Sequence, residues 1–281
     1  MIAGIMKLRS VFPLLLLALP LAAQLSAPNK AGVSAGHDVL RAKDVAVANQ
    51  FWQSLGGQPA QFGGRLNLIK FPGVLILEIG NGGRPAADGT PPPPPVELAG
   101  SEGSSVDFIG FSVKDLKGSL EAWAKAGIQP LPGGSKKQVF LMTPDKIKVR
   151  VTEDKALATP IAADTIKMMV PNVAEAQAWY AKNLGAEMIK RGNEMVAHIP
   201  GSDILFEQAK GPVAPTKGRA FDRIGLEVVD LEGFAKKLEA NGVKFDNPYR
   251  GKAKGMDAGF AVFQDPYGTL IELSEGLVAV K

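Results

Sequence analysis

The chain has 281 residues, 46% hydrophobic and 21% charged; this is globular composition and excludes wholesale disorder or a collagen-like fibre. Cysteine is absent, which excludes thiol catalysis, disulfides and cysteine-ligated zinc or iron–sulfur centres. The net charge of +4 is mild and no Lys/Arg run exceeds two residues, so no nucleic-acid partner is indicated.

Met1 to Ala23 reads as a secretory signal: Lys7 and Arg9, then an apolar stretch from Val11, then small residues at the end. Pro13 and Pro20 interrupt that stretch, and it is short for a membrane span. The expectation is export to the periplasm or medium, with no stable membrane association after cleavage. The alternative is retention of the segment as an anchor.

Four copies of one unit follow, at about 36–80, 104–154, 163–208 and 220–276. The first holds a helical pattern from Val45 through Phe51-Trp52 to Leu55 and Gly56. The run Pro91 to Pro95 can be neither helix nor central strand, so it is a surface loop between the first and second units. The second opens on Asp107-Phe-Ile-Gly-Phe-Ser-Val113. The third carries Val173-Ala-Glu-Ala-Gln-Ala-Trp-Tyr180, which repeats the helix of the first at an offset of 128. The fourth opens on Asp222-Arg-Ile-Gly-Leu-Glu-Val228, which repeats the second at an offset of 115. In each unit an apolar strand precedes an Asp or Asn that caps an amphipathic helix. In the fourth, Leu231, Phe234, Ala235 and Leu238 fall at helical spacing and Gly242 ends the helix. Asp265-Pro-Tyr-Gly268 is then a turn, and Thr269 to Ser274 the last strand. Trp179-Tyr180 and Phe51-Trp52 read as core anchors. The unit is strand, helix, three strands. Paired units would close curved sheets around a cleft.

The Asp-Arg-Ile-Gly strand and the Asp-Pro-Tyr-Gly turn with Ile271-Glu-Leu273 resemble the vicinal oxygen chelate superfamily, which includes glyoxalase I, bleomycin-resistance proteins and extradiol dioxygenases. The resemblance implies an α+β fold of two tandem domains, 34–154 and 161–277, each a pair of βαβββ modules in a curved open sheet around a cleft. It also implies, in enzyme members, a divalent metal held by His or Gln on each first strand and Glu on each last strand. The matching positions here are Val39, Ile76, Phe108 and Arg150 in the first domain, and Lys167, Leu205, Arg223 and Glu272 in the second. Of these, Glu272 alone keeps a ligand side chain, and Lys and Arg donate no lone pair. The expectation is therefore a lost metal site and no cofactor.

In its place Lys167 and Arg223 would line the cleft of the second domain, with Glu272 pairing one of them and an anionic group of a small molecule neutralising the remainder. His198 shares strand parity with Val196 and could face the cleft; a structural role is the alternative. His37 reads as a surface residue near the mature terminus, unless a register slip of two brings it to the ligand position of Val39. Tyr249-Arg250 and Gly251 to Gly255 form a basic glycine-rich loop, either a lid or a solvated connection. No catalytic residue is assigned. The function expected is an exported glyoxalase- or bleomycin-resistance-like binding protein. The alternatives are a metal-dependent lyase, isomerase or dioxygenase, and a non-catalytic scaffold whose cleft is filled by side chains.

Overall fold

The computed structural model describes residues 25–64, 66–82, 94–191 and 194–280. The segment Met1 to Ala23, read above as a signal, and most of the proline run lie outside the described residues. The first module comprises β1 (Val33–Ala42), α1 (Val45–Leu55), β2 (Gln58–Phe62), β3 (Leu66–Phe71) and β4 (Val74–Gly80). The second comprises β5 (Val106–Val113), α2 (Leu116–Lys125), β6 (Gln138–Met142) and β7 (Lys148–Glu153). The third comprises β8 (Ile161–Val170), α3 (Val173–Leu184), β9 (Glu187–Arg191), β10 (Glu194–Ile199) and β11 (Ser202–Gln208). The fourth comprises β12 (Phe221–Val228), α4 (Leu231–Ala240), β13 (Phe245–Asn247), β14 (Gly259–Gln264) and β15 (Leu270–Glu275).

Each helix starts where a short polar side chain satisfies free amide groups. Asp44, Asp115, Asn172 and Asp230 are the four caps, and each accepts from a backbone N–H two or three residues on. The Asp265–Gly268 turn is held the same way: Asp265 Oδ1 accepts from the amides of Tyr267 at 2.9 Å and Thr269 at 2.8 Å. Its other oxygen accepts from the Tyr180 hydroxyl at 2.8 Å, which ties the fourth module to the third. Trp52 and Tyr180 are fully buried, as core anchors should be.

The strands form two curved sheets, as the α+β reading requires. Their order is β13-β14-β15-β12-β1-β4-β3-β2 and β6-β7-β5-β8-β11-β10-β9. The partners differ from the consecutive pairing expected. The first module shares a sheet with the fourth, through antiparallel β1 and β12, and the second with the third, through antiparallel β5 and β8. Connection length gives the reason. Only residues 154–160 link β7 to β8, so those modules stay in one sheet, whereas 81–105 can cross from one sheet to the other. The first and second modules instead pack face to face, with Phe71 and Phe111 at 4.8 Å and Trp52 and Phe111 at 5.9 Å. The main core lies between the sheets and their helices. The opposite face of each sheet, its cup, carries a smaller apolar cluster.

Candidate functional site: two cups at equivalent positions

In the first-with-fourth sheet, alternation along β1 turns Asp38 and Leu40 inward and His37 and Val39 toward the cup. The backbone makes a bulge here. Ala35 lies opposite Leu226 and Asp38 opposite Ile224, so Gly36 and His37 together face Gly225. Both glycines are required. A Cβ on Gly225 would meet the His37 carbonyl at 1.9 Å and Nδ1 at 2.5 Å; one on Gly36 would meet the Glu227 amide at 2.8 Å.

The bulge delivers His37 to Glu272 on β15. His37 Nε2 lies 2.8 Å from Glu272 Oε1, and Arg223 Nη1 on β12 lies 2.5 Å from Oε2. Arg223 Nε donates to Asp222 at 2.7 Å. Burial would raise the Glu272 carboxyl, but the hydrogen bonds and charges of His37 and Arg223 outweigh it and hold the group below its usual range. Those same carboxylates keep the Arg223 guanidinium firmly charged despite burial. Behind the chain, Asp38 faces the interior and burial pushes it up to about 7, against the charge of His37 and the Gly225 amide. His37 is therefore not a surface residue: it is 1% exposed.

A plug covers this cup. Leu277 and Val280, just past β15, pack with Phe62, Leu68, Leu75 and Ala258, and with Leu25, Met256 and Phe260. Lys70 Nζ donates to the Val280 carbonyl at 2.9 Å, and Glu227 accepts from the Gly276 amide at 2.7 Å. In the glycine-rich loop, Lys252 reaches Asp257 at 2.5 Å and Met256 packs into the plug.

The second-with-third sheet repeats the geometry with different chemistry. Gly110 lies opposite both Arg150 and Thr165, as Gly225 lies opposite Glu272, and Asp164 is the extra residue of a second bulge. Arg150 thus holds the position of Glu272. Its Nη2 donates to Thr165 Oγ1 at 3.0 Å, and its guanidinium carbon sits 4.8 Å from the Phe108 ring centre. Lys167 Nζ lies 5.6 Å from the same ring and 2.5 Å from Glu207. Phe140 stands edge-on to Phe108 at 5.8 Å, beside Val196, Leu205 and Ile189. His198 Nδ1 lies 2.7 Å from Asp203 Oδ1, and Asp203 also pairs with Arg191.

The four residues expected at one site are therefore divided. Arg223 and Glu272 meet, and His37 joins them. Lys167 and His198 belong to the other sheet, because the third module pairs with the second rather than the fourth. Asp164 and Arg150 complete that face.

The metal that the resemblance implies does not fit the first cup. His37 and Glu272 are donors, but Arg223 already occupies the second Glu272 oxygen. On β4, the residues opposite His37 and Val39 are Leu75 and Leu77, which donate nothing. Among the described residues no group of three or more His, Asp or Glu side chains is placed to hold an ion.

Fold and cups together define a four-module protein of two curved sheets, three modules βαβββ and the second βαββ, with a ligand-type position in each sheet. A profile of the Glyoxalase/Bleomycin resistance protein/Dioxygenase superfamily matches residues 162–273. No curated protein sequence matches the chain. Among solved structures, the chain is similar to glyoxalase I from Zea mays (TM-score 0.64, 15% identity, 86% of this chain and 92% of that one). It is also similar to a putative dioxygenase from Bacillus subtilis (TM-score 0.60, 12% identity, 92% of this chain and 88% of that one). At these identities the likeness is one of fold.

Proposed function

We propose that the protein is an exported, metal-independent binding protein of the glyoxalase fold that takes up a small anionic molecule. The observation that carries this reading is the chain His37–Glu272–Arg223–Asp222. The last-strand carboxylate, which family enzymes use as a ligand, is here bonded to an imidazole on one oxygen and a guanidinium on the other. A divalent ion could enter only by displacing Arg223, and a cation beside that guanidinium is repelled. Export is supported by the character of Met1 to Ala23.

Two measurements test the reading. Elemental analysis of protein purified without chelator should give no stoichiometric iron, manganese, nickel or zinc. A thermal-shift screen should show stabilisation by carboxylates or phosphates rather than by neutral analogues. A stoichiometric metal would overturn the reading in favour of a metal-dependent lyase, isomerase or dioxygenase. That second reading is favoured by one observation, the approach of His37 to Glu272. Processing is read by intact mass: the exported form should begin at Gln24 or shortly after it.

A further inference from the structure

The two cups occupy equivalent places but differ in which polar groups are left without partners. In the first, both Glu272 oxygens are bonded, His37 Nδ1 has no partner among the described residues, and Leu277 and Val280 pack into the apolar cluster of that cup. In the second, Arg150 is 14% exposed yet makes a single side-chain hydrogen bond, to Thr165. Its Nε has no hydrogen-bond partner among the described residues, and neither do the neighbouring Thr152 Oγ1 and Asp164 Oδ1. The nearest carboxylate oxygen, Asp164 Oδ1, stands 3.8 Å from Nη2, too far for a hydrogen bond, while the other Asp164 oxygen is taken by Ser112 at 2.5 Å. A half-buried guanidinium with unused donors is costly unless something accepts from it.

A second cation stands over the same ring. Lys167 is held by Glu207, whose side chain is 55% exposed and free to give way to a ligand at little cost. Around the cations lie half-buried Phe140 and Ile189. Charge selects the anion. Arg150, Lys167 and Lys148, whose Nζ stands 5.8 Å from the Phe140 ring centre, face Asp164, Glu207, Asp107 and Glu102, three cations against four carboxylates, so a dianion would be over-charged for this face and a monoanion is better suited.

We propose that the cup of the second-with-third sheet binds an aromatic monocarboxylate, its carboxylate shared by Arg150 and Lys167 and its ring lying on Phe140 and Ile189. Arg150 supplies the planar fork of donors that a carboxylate matches, and Lys167 the second charge. The inference rests on the anion-binding reading above and adds the place and the ligand class.

The test titrates benzoate and inorganic phosphate into the full chain, read by calorimetry and amide NMR. Benzoate should saturate and move the amide signals of Phe108, Arg150 and Lys167. Arg150→Gln and Lys167→Ala should each weaken it at least ~10-fold, about 1.4 kcal/mol, while Lys117→Ala, on the exposed face of α2, leaves it unchanged. Should either variant fail to fold, the signal map on the unmodified protein still decides. Benzoate signals centred on His37 and Arg223 would overturn the location and leave the anion-binding reading standing. Phosphate binding more tightly than benzoate would overturn the ligand class. Absence of saturable binding by any anion would overturn both.

Discussion

At the scale of single residues, the structure holds buried carboxylates of opposite character. Glu272 is held down by His37 and Arg223, so its ionised form belongs to the folded state. Its contribution is present above the unfolded value near 4.5 and is lost as pH falls through the lower folded value. Glu272→Gln should therefore lower stability at neutral pH and flatten its loss in acid, seen in urea midpoints across pH 3 to 7. Removing Arg223 leaves a buried carboxylate with one partner fewer; Arg223→Ala should cost about 3 kcal/mol by the same assay. Asp38 and Glu78 behave in the reverse sense. Burial raises each to about 7 in the fold, although Trp52 donates to Glu78 at 2.7 Å. Their contribution is complete below the unfolded values, near 3.8 and 4.5, and is lost as pH climbs toward 7. Asp38→Asn should raise the melting temperature more at pH 8 than at pH 4. An equal gain at both would show that the carboxyl is not neutral inside.

At the scale of elements, the bulge decides which side chain reaches the cup. Counting from the offset of 128 aligns Lys167 with Val39, and the strand registers agree, since Val39 lies opposite Arg223 and Lys167 opposite Phe108. What counting does not convey is that one extra residue in β1 swings His37 onto Glu272. The signal was present in Gly36 and Gly225, since an interior strand glycine marks a bulge or a close approach. Arg223 was legible because it sits inside the 107–113/222–228 repeat, and Glu272 because it follows the Asp265–Gly268 turn; His37 was not, because the first strand carries neither signal. Gly225→Ala places a methyl on the His37 carbonyl and should destabilise by about 3 kcal/mol or prevent folding, measured by denaturant midpoint. The plug is a second element with a definite energetic role. Leu277 is 2% exposed, so Leu277→Ala should cost about 2–4 kcal/mol, together with new binding of a hydrophobic dye as the first cup opens.

At the scale of the whole molecule, repetition in the sequence revealed four modules but not which of them are neighbours. Similar modules carry similar pairing edges, so the choice falls to connection lengths and to faces that motif comparison does not rank. The division of the site follows from this. Residues 167 and 223, adjacent in a domain drawn along the chain, stand on different sheets. One feature sets the order of assembly. His37 and Glu272 are 235 positions apart, and β1 must wait for β12 before the middle of its sheet exists. The nascent chain can complete the second and third modules early, and β1 can pair with β4 of its own module, while its other edge stays uncovered until β12, Phe221–Val228, has been made. Such long-range closure is slow and leaves a sticky edge uncovered meanwhile. The chain therefore acquires its first sheet last, and a ribosome stalled anywhere before the fourth module would leave a half-built protein prone to clumping.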